Sequence, residues 1–262
     1  MTIVVCVKQV PDDASDRGYT ADGRVRRDAD DATLNAADED AVRVAVGLAP
    51  GAGAEVTVLT MGPPSAARAL RRGLQLGAHR AVLVTDAVLA GSDVFSTATV
   101  LAAAVRRLAA DGGVDLVLTG AASRDARTAV LPVLLAAELD MPCATGATEA
   151  AVTGGVVRVR RRAAGRLEVH EADGPAVVAV ATAVTDDQPV TTAAIRAARA
   201  VPVVTWTVAD LGLDPLTVGH PAARTRVAEV GSCPPAGRVL LVDDGTAGER
   251  LADYLITNGL VP

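Results

Sequence analysis

"VDLVLTGAASRDARTAVLPVLLA", Val114–Ala136, decides the fold. Its first seven residues are apolar enough to read as a buried strand. The stretch that follows, from Gly120 through Ser123 and Asp125 to Thr128, is small and polar. The last part reads as a helix that carries Pro132. A strand, a glycine-led turn and a helix in that order mark the place where an open α/β sheet holds a phosphate, because the amides at a helix start point at the ligand.

The same alternation surrounds this stretch on its N-terminal side. Thr2–Val10, "TIVVCVKQV", reads as a first strand. Leu34–Ala49 reads as a helix, with Asn35 as its cap and Asp38, Glu39 and Asp40 at the positive end of its dipole. Glu55–Gly62 is a second strand and Ser65–Ala78 a second helix. Ala81–Asp86 is a third strand and Asp93–Ala110 a third helix. Strands and helices at this spacing predict a mostly parallel, Rossmann-like α/β sheet flanked by helices. The pattern then changes. Val156–Ala172 predicts two antiparallel strands joined by a turn at Ala163–Ala164–Gly165, and Pro175–Val184 a further strand. We expect residues 1–223 to form one α/β domain. Residues 224–262 are expected to form a C-terminal arm that contacts a partner subunit, with a short strand in "RVLLVDD" and a helix over Thr246–Asn258.

Composition narrows the function. Half of the 262 residues are hydrophobic and 2% are aromatic, so the core is built from Val, Leu, Ile and Ala. A net charge of −6 argues against a nucleic-acid binder. Cys6, Cys143 and Cys233 are scattered, without a CxxC, and read as reduced thiols rather than a disulfide or zinc framework. No segment reads as a signal peptide or a membrane span, which predicts a cytoplasmic protein with no stable membrane insertion.

In an open α/β sheet a ligand sits beyond the carboxyl ends of the strands. Those ends are Cys6–Pro11, with Val7 and Lys8; Met61–Pro64, with Gly62; Asp86–Asp93; and Gly120–Thr128, with Ser123, Asp125 and Arg127. Asn35–Asp38 lies at a helix start that can reach the same crevice. Asn and Asp suit ribose hydroxyls or an adenine edge. Lys8, the one lysine of the chain, suits a phosphate or a crevice carboxylate. Ser123 has no histidine partner, since His79, His170 and His220 lie in unrelated segments, and no catalytic constellation emerges. Arg158, Arg160, Arg161 and Arg162 either hold an anion or line the solvated or subunit-facing edge of a hairpin.

Taken in order, several segments resemble the β subunit of electron transfer flavoproteins. They are "VKQVPD", "NAADEDAV", "MGPPSAARALRRGLQLGAHRAVLV", "GSDVFSTATVLAAAV", "VDLVLTGAASRDARTAVLPVLLAAELDMP", "VRRRAAGRLEVHEADGPAVVAV" and "ADLGLDP". The resemblance runs from about Ile3 to Leu213, with an echo in "GERLADYLITNGLV". It implies an adenine-nucleotide-hydrolase-like fold and a heterodimer with an α subunit that carries most contacts to a redox-active FAD. It also implies AMP as a structural ligand of this chain, or a second FAD in electron-bifurcating members. Flavin dehydrogenases would be the electron donors, and a quinone oxidoreductase or similar protein the acceptor. Two other readings stay open: an adenine-nucleotide-binding module without a redox role, and a structural subunit with an empty crevice.

The resemblance has two departures. In the turn, Gly120, Ser123, Asp125 and Thr128 follow the family pattern, whereas Arg127, Ala129, Val130 and Pro132 replace an acid, a Gly or Asn, a Gln and a Gly. Pro132 requires that the helix start late enough to keep it in the first turn. In the family, a loop bearing an anchoring leucine recognises the dehydrogenase. The matching region here, "TDDQPVTTAAIRAARAVPVV", has no leucine between Asp186 and Arg199, and Ile195 is its candidate substitute.

Overall fold

The computed structural model describes residues 1–12, 19–20, 24–26, 32–110, 112–181, 189–231 and 240–261. They divide into two compact units, Met1–Ala228 and Glu229–Pro262. The first unit is an α/β sandwich. In chain order its elements are β1 (Thr2–Cys6), β2 (Gln9–Val10), β3 (Thr33–Leu34), α1 (Ala36–Ala52), β4 (Glu55–Met61), α2 (Ala67–Gln75), β5 (Arg80–Val84), α3 (Val94–Ala109), β6 (Leu116–Gly120), α4 (Leu131–Leu139), β7 (Cys143–Thr153), β8 (Val156–Ala163), β9 (Arg166–Asp173), β10 (Ala176–Val180), α5 (Thr192–Ala200), β11 (Val203–Trp206) and α6 (Gly219–Ala222).

The main sheet runs in the order β11-β5-β4-β1-β6-β10-β7-β8-β9. Pairings from β11 across to β7 are parallel, and β7, β8 and β9 pair antiparallel. Both faces are covered, so the central strands are apolar on both sides. Ile3 and Val5 point to the face packed by Val42 of α1, Leu70 of α2 and Ala198 of α5. Val4 and Cys6 point to the face packed by Val100 and Leu101 of α3 and Leu135 of α4. The chain steps from β1 outward to β4 and β5, then crosses to β6 on the other side of β1. This reversal makes the carboxyl ends of β1 and β6 the topological switch point.

The expected strand Thr2–Val10 is in fact two. β1 ends at Cys6, and Gln9–Val10 leaves the main sheet to pair antiparallel with Thr33–Leu34. That ribbon carries the start of α1 back to the end of β1, where Asn35 N donates to Lys8 O at 2.9 Å. The hairpin follows the expectation over Val156–Ala172, and its turn residues Ala164 and Gly165 both have positive φ, 48° and 75°, as a two-residue hairpin loop requires.

Other expectations need correction. β7 and β11 do not follow from the sequence pattern. Cys143–Thr153 is rich in Ala, Thr and Gly, poor strand formers apart from Thr, and becomes a strand through pairing on both sides with β10 and β8. β8 is therefore interior to the antiparallel trio and is not an edge. Its arginines form cross-strand ion pairs: Arg158 with Glu171, Arg160 with Glu149 and Arg161 with Glu168. A cation facing a carboxylate across the ladder stabilises the pairing, so these three arginines serve the sheet. His170 is exposed and its Nε2 lies 3.0 Å from Glu168 Oε2. His79 Nδ1 accepts from Val56 N at 3.0 Å.

The compact first unit extends past residue 223. Asp93, the cap of α3, accepts from Arg224 N, Thr225 N and Thr225 Oγ1, which ties that segment to the first unit. In the second unit no strand forms among the described residues 240–246, and residues 238–239 of the expected strand lie outside the described ones, as does Cys233. α7 (Ala247–Thr257) is the expected helix. It exposes Leu251, Tyr254 and Ile256, and Leu240 ahead of it is 83% exposed. No helix among the described residues is long and apolar enough to cross a membrane.

Candidate functional site

At the switch point three polar side chains from the β1–α1 segment grip the turn that follows β6. Asp38 sits in the first turn of α1 and is buried. Its Oδ2 accepts from Lys8 N at 2.8 Å and its Oδ1 from Gly120 N at 3.2 Å. One carboxylate thus bridges the ends of β1 and β6. Burial pushes its pKa up to about 7 against the opposing pull of Asn35, the two amides and Lys8. The neighbouring Cys6 thiol is pushed up to about 12 by burial and by Asp38, so it stays protonated and packs as a small apolar group.

Asn35 occupies the cap position of α1 but its side chain does not cap. It turns toward the β6–α4 turn instead: Nδ2 donates to Ala122 O at 3.1 Å and Oδ1 accepts from Arg124 N at 3.0 Å. The reading of Asn35 as a helix cap is thereby corrected. The turn offers the side chain two partners, and the helix start is served by the Asn35 carbonyl, which accepts from Asp38 N and Glu39 N.

Lys8 completes the grip. Its Nζ lies 2.7 Å from Asp125 Oδ1 and 3.3 Å from Ser123 Oγ. The Asp125 side chain is 1% exposed and that of Lys8 35%, so the carboxylate faces inward and the ammonium stays in reach of the crevice. The turn tightens further as Arg127 N donates to Ser123 O at 2.9 Å. Arg127 and Ala129 then take left-handed conformations, with φ of 51° and 54°. The helix begins only at Leu131, which leaves Pro132 in the first turn, where no amide partner is lost.

The structure brings together Cys6, Val7, Lys8, Asn35, Asp38, Gly120, Ser123, Asp125 and, through the turn, Arg127. Met61 and Gly62 end the adjacent strand; Gly62 N donates to Val84 O, and among the described residues no hydrogen bond joins either to the network. Thr128 is exposed beyond the turn. Sequence reasoning missed the backbone of Ala122 and Arg124, which carries no signature in residue type.

The turn suits a phosphate. Among the described residues, the amides of Ala122, Ser123, Ala126 and Thr128 donate to no protein acceptor. Arg127, exposed in the same turn, brings a positive charge to this stretch. The inward carboxylate of Asp125 is matched by Lys8, so it does not present an unbalanced negative charge to an anion. Among the described residues no group of His, Cys, Asp and Glu could hold a metal ion.

The first unit is a doubly wound, Rossmann-like α/β domain with a polar, amide-lined crevice at its switch point. Comparison with known proteins gives the family. The model of the electron transfer flavoprotein domain matches residues 22–211. The chain is 32% identical over 268 residues to the electron transfer flavoprotein subunit beta of Mycobacterium bovis, covering 99% of each chain. It is 38% identical over 222 residues to protein FixA of Azorhizobium caulinodans, covering 83% of this chain and 79% of that one. It is 31% identical over 258 residues to the caffeyl-CoA reductase-Etf complex subunit CarD of Acetobacterium woodii, covering 98% and 97%. The chain belongs to the electron transfer flavoprotein beta subunit family.

Proposed function

We propose that this chain is the β-type half of a heterodimeric electron carrier and that its switch-point crevice holds AMP. An α-type partner would carry the FAD, which supplies the redox chemistry. The complex would take electrons from flavin dehydrogenases and pass them to a quinone oxidoreductase or a similar acceptor, with this chain as a carrier subunit rather than an enzyme. The observation that carries the reading is the grip of Asp38, Asn35 and Lys8 on the Gly120–Arg127 turn, in a chain of this family.

In that role the amides of Ala122, Ser123, Ala126 and Thr128 bind the phosphate, with Arg127 beside them. Lys8 holds Asp125 and Ser123 so that the turn stays open to the ligand. AMP is favoured over a second FAD because Ala129 and Val130 bring no side-chain donor to the far end of the turn. The second unit supplies the arm: α7 presents Leu251 and Tyr254 to solvent, an apolar pair suited to a partner subunit.

Co-expression with an FAD-binding α subunit of this family tests this. The expected product is a yellow complex, one of each chain, which releases one FAD and one AMP on denaturation. A truncation after Gly245 is expected to lose the α subunit. A colourless chain that remains alone would refute the proposal.

A further inference from the structure

The last stretch of the first unit is fastened twice to the start of α3, and the two fastenings differ in kind. The inner one is packed backbone. Val218 is buried, Gly219 N donates to Ser96 Oγ at 2.9 Å, and His220 N donates to Ala90 O at 3.1 Å. Ser96 is itself buried. Gly219 has a φ of 69°, and a Cβ built on it would run into Val88 O, so glycine alone lets the chain come this close. This contact cannot part without opening the core around α3, in which Val218 packs.

The outer fastening lies at the surface. Arg224 and Thr225 are exposed. One oxygen of Asp93, Oδ2, accepts from Arg224 N and Thr225 N, both at 2.8 Å, and from Thr225 Oγ1 at 3.0 Å. The other, Oδ1, accepts from Ser96 N at 3.0 Å and caps α3. The Arg224 guanidinium adds a contact to the same helical turn, 5.1 Å from the centre of the Phe95 ring. A single carboxylate oxygen therefore carries three donors from the chain that is about to leave the first unit; the second unit begins at Glu229. Hydrogen bonds to an ionised acceptor are the stronger kind, yet these stand where water can replace them.

We propose that Asp93 is the positioning residue of the C-terminal unit: closed on Arg224 and Thr225, it sets the point where the chain leaves the first unit. Local opening of this latch moves that point back to Gly219–His220. Residues 221–225 then join the tether, which at full extension adds about 17 Å of reach. Asp93 suits the task because its two oxygens are divided, one to α3 and one to the tether. The start of α3 is therefore kept whether the latch is closed or open. In the heterodimer proposed above, the second unit contacts the α-type partner, so the latch governs the reach of that contact. This consequence rests on the heterodimer reading; the latch itself does not.

The test separates the two oxygens. Asp93→Ser keeps a cap for Ser96 N and removes the acceptor of Arg224 and Thr225. Thr225→Val removes one donor of the three and leaves Asp93 in place, so it decides the matter where Asp93→Ser does not fold. Trypsin cleavage of the full chain under native conditions is followed at the Arg224–Thr225 and Arg226–Val227 bonds, with cleavage after the exposed Arg166, beside the β8–β9 turn, as reference. Cleavage at the two bonds is expected to rise about ten-fold in Thr225→Val and about 100-fold in Asp93→Ser, ten-fold being the weight of one hydrogen bond to a charged group. The urea midpoint and cleavage after Arg166 are expected to stay as in wild type, which loss of the α3 cap would not allow. Wild-type cleavage in either folded variant overturns the proposal. So does an equal rise after Arg166, which reports loosening of the whole first unit. FAD content of the co-expressed complex tests the carrier reading separately: a colourless complex refutes that reading, and the latch is still judged by cleavage of the chain alone.

Discussion

Gly120 N donates to Asp38 Oδ1 at 3.2 Å, and a Cβ built on Gly120 would lie 2.5 Å from that same oxygen. It would also lie 2.6 Å from the carbonyl carbon of Ala37, which is backbone and cannot step aside. The first turn of α1 is pressed against the end of β6, and only a missing side chain permits the contact. Gly120→Ala is expected to destabilise the chain by about 2–3 kcal/mol through overpacking. AMP affinity should fall with it, because Asp38 and Asn35 share that turn. Urea unfolding and calorimetric titration check both; an unchanged unfolding midpoint would contradict the packing argument.

Asp38 also sets a pH dependence. Its folded pKa, pushed up to about 7 mainly by burial, lies above the ordinary 3.8. Between these values the folded protein holds a proton that the unfolded chain has released, so stability falls as pH rises. The contribution is full below about pH 4 and gone above about pH 7. Asp38→Asn has nearly the same shape and no proton to lose; its Nδ2 cannot accept from one of the two amides, a cost that does not vary with pH. Relative to wild type the variant should gain roughly 2–3 kcal/mol between pH 5 and pH 8. Parallel denaturation curves of the two proteins at these pH values would show a constant difference if Asp38 does not titrate.

The ion pair between Lys8 and Asp125 is open to solvent on one side only. Removing Lys8 leaves an inward carboxylate without its nearest cation, whereas removing the charge of Asp125 leaves an ammonium that still reaches water. The single variants should therefore be unequal, with Lys8→Met costing more than Asp125→Asn. Their coupling in a double-mutant cycle is expected at about 1 kcal/mol, since the exposure of Lys8 allows solvent to screen the pair. Equal single costs with no coupling would mean that the pair does not hold the turn.

The parallel half of the fold is legible in the sequence because Ile3, Val5, Val58, Leu116 and Leu118 form apolar runs that only a sheet covered on both faces can bury. β7 and β11 are not legible. Residues such as Ala144, Thr145 and Gly146 have no strand preference of their own, and Val203–Trp206 forms a strand only where β5 offers its edge. At the site, residue type led to Lys8, Asp38, Gly120 and Asp125, the groups whose chemistry suits a nucleotide crevice. It placed Asn35 both at the helix cap and at the crevice, because cap and clamp demand the same side chain, and only the position of the Ala122–Arg124 backbone decides for the clamp. The arginines of β8 looked like an edge because β7, their other neighbour, was invisible.

Ala129 is one of two positions, with Arg127, where the turn carries strain. Its φ of 54° places an L-residue in the left-handed region, which costs about 1–2 kcal/mol for a residue with a Cβ. Family relatives by resemblance place Gly or Asn there, residues that enter this region readily. Ala129→Gly removes the steric cost but loosens the unfolded chain by about 0.4–1 kcal/mol. The net expectation is a gain of about 0.5–1 kcal/mol, seen as a higher melting temperature. Ala129→Val should lose more than that gain, because a β-branched side chain is a true outlier at positive φ. If calorimetry finds glycine and valine equal to alanine, the turn does not hold the left-handed conformation in solution. The phosphate site proposed for this turn would then fall as well, since it rests on the left-handed backbone of Arg127 and Ala129 on either side of Thr128.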